Sequence, residues 1–130
     1  MFTKDGSLIL QRRSATKVTF PLLWTNSCCS HPLWNEYEMC EENDSVGIRR
    51  AAQRKLEHEL GIKALPLDRM KVMGRYIYKA DSDGNWGEYE LDYAIIILDF
   101  DPVAITPNPE EIEQISIVNQ SKLRKMVQGT

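Results

Sequence analysis

The period of apolar and polar residues changes several times along the chain, and each change marks an element. In residues 7–13, Leu8 and Leu10 fall on one side and Ile9 on the other, which predicts a short strand. Asp5-Gly6 before it is a hairpin turn signal, with only four residues ahead of it to supply a partner strand. From 45 to 60 the period becomes helical: Ile48, Ala52, Leu56 and Leu60 recur every four residues as the buried stripe. Asp44 or Ser45 can cap this helix and Gly61 can end it. Residues 71–80 and 86–100 read as two strands joined by the turn Asp81-Ser82-Asp83-Gly84-Asn85. In the second of these, Glu88, Glu90 and Asp92 share one face and Tyr89, Leu91 and Tyr93 the other, while Ile95-Ile96-Ile97 predicts cover on both faces. A last strand, 114–118, and an amphipathic helix, 121–127, complete the pattern.

Residues 14–44 follow no period. They hold Pro21, Pro32, Trp24, Trp34, Cys28, Cys29 and His31, and end in the acidic stretch Glu36 to Asp44. A long loop of this kind is functional or disordered, and its tryptophans argue for function. Strands with two helices in one unit of 130 residues predict a single α/β domain, residues 1–130.

Composition narrows the function. Apolar residues are 42% of the chain, enough for a core, and sixteen Lys and Arg against nineteen Asp and Glu give a net charge of -3. That excludes nucleic-acid binding through bulk charge. No apolar run reaches the ~20 residues of a membrane span. The first residues lack the basic and apolar blocks of a signal peptide. Three cysteines, two of them adjacent, predict reduced thiols and a cytoplasmic protein.

Four groups could carry chemistry. Cys29-Ser30-His31 suits a nucleophile, an acid/base pair or a metal site, and equally a small buried thiol beside a turn proline. Glu88 and Glu90 on one strand face could bind a metal or shift each other's pKa, or form a solvated sheet face. Arg12, Arg13, Lys17, Arg54 and Lys55 could grip a diphosphate, or be ordinary surface charge. Glu59, near the end of the helix, could hold Mg²⁺ against phosphate oxygens, or pair with Lys55 four residues earlier.

Together these segments carry a resemblance. Arg12-Arg13-Ser14-Ala15-Thr16-Lys17, Phe20-Pro21, Trp24-Thr25-Asn26-Ser27-Cys28-Cys29-Ser30-His31-Pro32, Arg49 to Leu56 with Glu59-Leu60-Gly61, Tyr76-x-Tyr78 and Trp86-Gly87-Glu88-x-Glu90 resemble type I isopentenyl-diphosphate Δ-isomerase. That family belongs to the Nudix superfamily and interconverts isopentenyl and dimethylallyl diphosphate. The resemblance implies a Nudix-type α/β/α sandwich with a mixed sheet. It implies catalytic roles for Cys29 and Glu90, support from Tyr78, and Trp24 against the substrate. His31, Glu88 and Glu90 match ligands of a divalent metal (Zn²⁺, Mn²⁺ or Mg²⁺), and Glu59 matches the carboxylate that holds Mg²⁺ on the diphosphate. Arg13, Lys17 and Lys55 match its basic contacts, although the position of Lys55 is arginine in many relatives, and Leu22 stands where they usually have glycine. The implied substrate is small and the implied state a monomer, with neither nucleic acid nor membrane as partner. Plastid or peroxisome become possible compartments if an N-terminal segment is missing.

The family's metal has three histidines and two glutamates, whereas this chain has two histidines, of which only His31 matches. The expectation is therefore an isomerase domain truncated at both ends, lacking an N-terminal strand and part of a C-terminal helix, with a weakened metal site. Two rivals stay open. A Nudix hydrolase would need clustered helix carboxylates, where Arg54-Lys55-x-x-His58-Glu59 lacks two of three. A non-enzymatic chain would bind diphosphates or a partner protein through the open sheet edge.

Overall fold

The computed structural model describes residues 1–129. Its elements in chain order are β1 (Leu8–Arg13), β2 (Trp24–Thr25), α1 (Glu42–Leu60), β3 (Lys71–Asp81), β4 (Gly87–Ile96), β5 (Ile112–Val118) and α2 (Gln120–Gln128). The strands form two separate sheets, β2-β1-β5 and β3-β4. Every pairing among the described residues is antiparallel, where a mixed sheet was expected.

The core lies between β1, the C-terminal turns of α1 and the segments around Ile97 and Ile112. Ile9 and Leu60 are 0% exposed, and Leu56, Ile62, Met70, Phe100 and Ile112 are among the residues buried with them. Ile9 is buried because the apolar face of β1 meets the end of α1, where Leu56 and Leu60 sit one turn apart. The expected stripe is rotated toward its N-terminal end: Val46, Gly47 and Ala51 are buried there, while Ile48 and Ala52 are only partly so.

The ends of α1 also differ from each other. Gly61 takes φ 66° and donates to Glu57 O, as a left-handed helix end requires. A Cβ at this position would stand 2.9 Å from Thr106 O, so the glycine is fixed by space as well as by φ. At the other end, Asn43, Asp44 and Ser45 are all left-handed, with φ of 49°, 56° and 56°, and neither Asp44 nor Ser45 caps the helix. Arg49 holds this left-handed run in place, donating to the carbonyls of Asn43, Asp44 and Leu67.

Three boundaries move. β2 lies inside the stretch read as loop, with Trp24 opposite Arg12 and Thr25 opposite Gln11. Two residues carry no period, so the sequence pattern could not reveal it. β4 stops at Ile96 rather than Phe100. The Asp5-Gly6 turn has a partner after all: Phe2 bridges Leu8, donates to Ile97 O and accepts from Phe100 N–H, each at 2.9 Å. Gly6 supplies the turn's φ of 82°.

Candidate functional site

β1 fixes one wall of the site through its buried polar residue. Gln11, 1% exposed, donates from Nε2 to Ser27 O at 2.8 Å, and the Ser27 hydroxyl donates to Ile9 O at 2.5 Å. These bonds hold the Asn26–Ser30 turn against the core and fix the direction of both following cysteines. Cys28 turns inward and donates its thiol to Glu59 Oε2 at 2.7 Å. Burial, then the Glu59 charge, push that thiol far above its ordinary range, so it stays protonated as a donor. Glu59 is 4% exposed, which rules out the surface pair with Lys55.

Cys29 points the other way and donates to Asn26 Oδ1 at 3.1 Å. Its thiol is pushed up to about 11 by lost hydration and by Glu59 and Asp92, against the pull of Arg13. The residue as a whole is nonetheless open to solvent.

The second wall is one face of the β3-β4 hairpin. Register places Tyr76 opposite Asp92, Tyr78 opposite Glu90 and Ala80 opposite Glu88. Side chains alternate across a strand, so these six share a face. Glu90 is raised by burial and by the charges of Glu88 and Asp92, against the opposing influence of His31. Burial and the same carboxylates raise Tyr78. Tyr76 is raised by burial, then by Asp92, Cys29 and Glu90, which places it between the two walls.

Three contacts join the walls. His31 Nε2 lies 3.1 Å from Glu90 Oε1. The Thr19 hydroxyl donates to Glu88 Oε1 at 2.6 Å while accepting from Arg13 Nη2 at 3.3 Å. Phe20 N–H donates to Ser82 Oγ at 2.8 Å. Cys29, Arg13, Glu59, His31, Tyr78, Glu88 and Glu90 thus fall in one region.

The remaining basic residues are engaged differently. Lys17 Nζ is 2.6 Å from Glu111 Oε2, and His58 Nε2 is 3.2 Å from the other oxygen. Against its burial, Lys17, His58 and Lys55 hold the Glu111 carboxyl below the ordinary range. Lys55 therefore faces the same corner, where its charge also reaches Cys28. Arg54 is not a free cation: its Nε and Nη2 grip the buried Glu38 carboxylate at 2.7 and 3.1 Å. Trp24 stands on β2 at 36% exposure. Five further residues that shape the site are Asn26, Thr19, Tyr76, Asp92 and Glu111. Period two pointed to Asp92, and Asn26 and Tyr76 stand in the motifs of the resemblance without a role, but Thr19 and Glu111 follow from tertiary contacts alone.

Imidazole and carboxylate donors suit a divalent ion in kind. His31 and Glu90 already converge, whereas Glu88 is turned to Thr19. Among the described residues no group of three His, Cys, Asp or Glu side chains is drawn together tightly enough to enclose an ion. No helix among them is long and apolar enough to cross a membrane.

The chain is similar to known proteins over nearly all of its length. It is 52% identical over 129 residues to isopentenyl-diphosphate Delta-isomerase II of Clarkia breweri and to isopentenyl-diphosphate Delta-isomerase 1, chloroplastic, of Cannabis sativa. Identity is 50% to isopentenyl-diphosphate Delta-isomerase II, chloroplastic, of Arabidopsis thaliana. Each alignment covers 98% of this chain and 44% of the relative, so the chain spans less than half the length of these curated relatives. In three dimensions it matches the crystal structure of DR0079 from Deinococcus radiodurans with a TM-score of 0.67, covering 98% of this chain and 68% of that one at 17% identity. That is a likeness of fold. Residues 1–129 match the family model of the NUDIX domain, and the chain belongs to that family.

Proposed function

We propose that this chain carries isomerase chemistry on isopentenyl diphosphate, giving dimethylallyl diphosphate by a proton added at one carbon and a proton removed at another. The observation that carries the reading is that each wall bears a protonatable group, Cys29 on one and Glu90 on the other, and that both act on Tyr76. Cys29 is a thiol held protonated, with its titration pushed up to about 11. Glu90 is a carboxyl whose titration burial and the Glu88 and Asp92 charges raise, opposite Tyr78 and against His31. Two such groups on opposite sides of an alkene suit the reaction: one protonates the terminal carbon to leave a tertiary cation, the other takes a proton from the neighbouring carbon. Tyr76, Tyr78 and Trp24 offer aromatic faces to that cation. Similarity to the plant isomerases supports the same substrate.

Arg13, Lys17 and Lys55 would hold the diphosphate, with Lys17 exchanging its Glu111 partner for a phosphate oxygen. Glu59 would hold Mg²⁺ on that diphosphate. His31 and Glu90, joined by Glu88 once it leaves Thr19, would hold a second divalent ion (Zn²⁺, Mn²⁺ or Mg²⁺). A bound cation there lowers the cost of a charged carboxylate at Glu90. The reading takes the chain as a monomer in a reducing compartment, cytosol or plastid, consistent with three free thiols. Hydrolysis of the diphosphate is disfavoured because Arg54 is committed to Glu38 and Glu59 is the only carboxylate at its end of α1 pointing inward.

The test is a proton and phosphorus NMR time course of the chain with isopentenyl diphosphate in D₂O, with Mg²⁺ and Zn²⁺ added. Deuterium on carbon and dimethylallyl diphosphate are expected, and both should vanish in Cys29→Ala and in Glu90→Gln. An unchanged spectrum, or orthophosphate without isomer, would overturn the reading.

A further inference from the structure

We infer that Arg54, clasped by Glu38, is the positioning residue that aims His31 at Glu90. This rests on the reading that His31 and Glu90 belong to one site. The His31 side chain is 80% exposed, so packing does not hold it. It has two fixed points. Its ring meets Glu90 Oε1 at 3.1 Å, and its backbone carbonyl accepts from Arg54 Nη2 at 2.9 Å.

The Arg54 guanidinium is itself locked. It forks onto Glu38, whose side chain is 4% exposed and whose Oε2 also accepts from Leu33 N–H at 2.7 Å. One planar group thus ties α1, the buried carboxylate and the backbone of His31 together, a geometry the five donors of arginine permit. Glu38 is brought to this point by Gly47, where any Cβ would stand 2.3 Å from Glu38 O. Arg50 secures the same loop further along, donating to Tyr37 O at 2.9 Å and lying 4.2 Å above the Tyr37 ring, but it does not reach His31. The basic residue that sequence grouped with the diphosphate contacts therefore serves the acid/base side instead.

The experiment is NMR on the metal-free full chain, reading nuclear Overhauser contacts from the His31 ring protons to the Glu90 side chain. Glu38→Met/Arg54→Met removes both charges together, so no buried ion is orphaned. The His31–Glu90 contact should be lost in this variant while the amide spectrum of β1 and β5 is unchanged. Arg54→Lys keeps a cation beside Glu38 without the fork and should weaken the contact; it also decides the matter should the double variant not fold. Arg50→Met loosens the same loop at Tyr37 and should leave the contact at wild-type strength. A full-strength contact in folded Arg54 variants, or equal loss in Arg50→Met, would overturn the inference. Loss confined to the Arg54 variants, in a chain that turns over no isopentenyl diphosphate, would support the clasp while defeating the functional reading.

Discussion

The two walls of the site are built to different standards. The wall carrying Cys28, Cys29 and Glu59 stands on the core: Ile9 and Leu60 are 0% exposed and Leu56 is 2% exposed in the cluster beneath it. The wall carrying Tyr78, Glu88 and Glu90 is a two-stranded hairpin in which no residue of β3 or β4 is buried. Ile77 and Tyr89 on its outer face are 72% and 74% exposed. An isolated two-stranded hairpin is marginal in water. Half of the proposed acid/base pair is therefore anchored, and the other half is held by His31, Thr19 and Phe20 reaching across. Chemistry that needs both walls depends on the weaker one.

The effects that would sharpen this contrast span a wide range. The largest concerns Cys29. With its thiol titrating at about 11, roughly one-thousandth of it is thiolate at pH 8. Its alkylation by iodoacetamide, followed by peptide mass spectrometry, should rise about tenfold per pH unit and level off near 11. A plateau already reached at pH 8 would remove the protonated thiol from the anchored wall. Next comes Leu60→Ala, which opens a cavity under that wall and should cost about 3 kcal/mol in denaturant unfolding. Thr19→Val removes the hydroxyl that joins Glu88 to Arg13 and should cost about 1 kcal/mol, felt as faster opening of the hairpin. Smallest is Ile77→Ala on the exposed outer face, within about 0.5 kcal/mol. Equal losses from Leu60→Ala and Ile77→Ala would erase the contrast.

The same division governs what could be read from the sequence. The hairpin was legible because its signals are local. Period two put Glu88, Glu90 and Asp92 on one face, and the turn at 81–85 joined the strands, as observed. Gly61 likewise ended α1 where its φ of 66° requires. The anchored wall was harder, since its logic is tertiary. Nothing in the spacing of Gln11 and Ser27 announces that one hydrogen-bonds the other, yet that bond sets the cysteine turn. Sequence likewise grouped Arg54 with the diphosphate contacts, because a buried acid sixteen residues away leaves no periodic trace. Asp44 and Ser45 were natural caps by type, but the left-handed run they occupy is held by Arg49 instead. Cys29, His31 and Glu90 were candidates by residue type and spacing, and a resemblance gave them roles; the structure brings His31 to 3.1 Å from Glu90, a contact between loop and strand that no local pattern announces.

The most direct test of the two-wall account is native-state hydrogen exchange on the full chain. Amides of β1 and β5 should exchange only through global unfolding, while those of β3 and β4 should exchange by local opening at lower free energy. Isopentenyl diphosphate with Mg²⁺ should slow the hairpin amides selectively, because a ligand bridging the walls binds only the closed form. Uniform protection across both sheets, unaltered by the ligand, would contradict it.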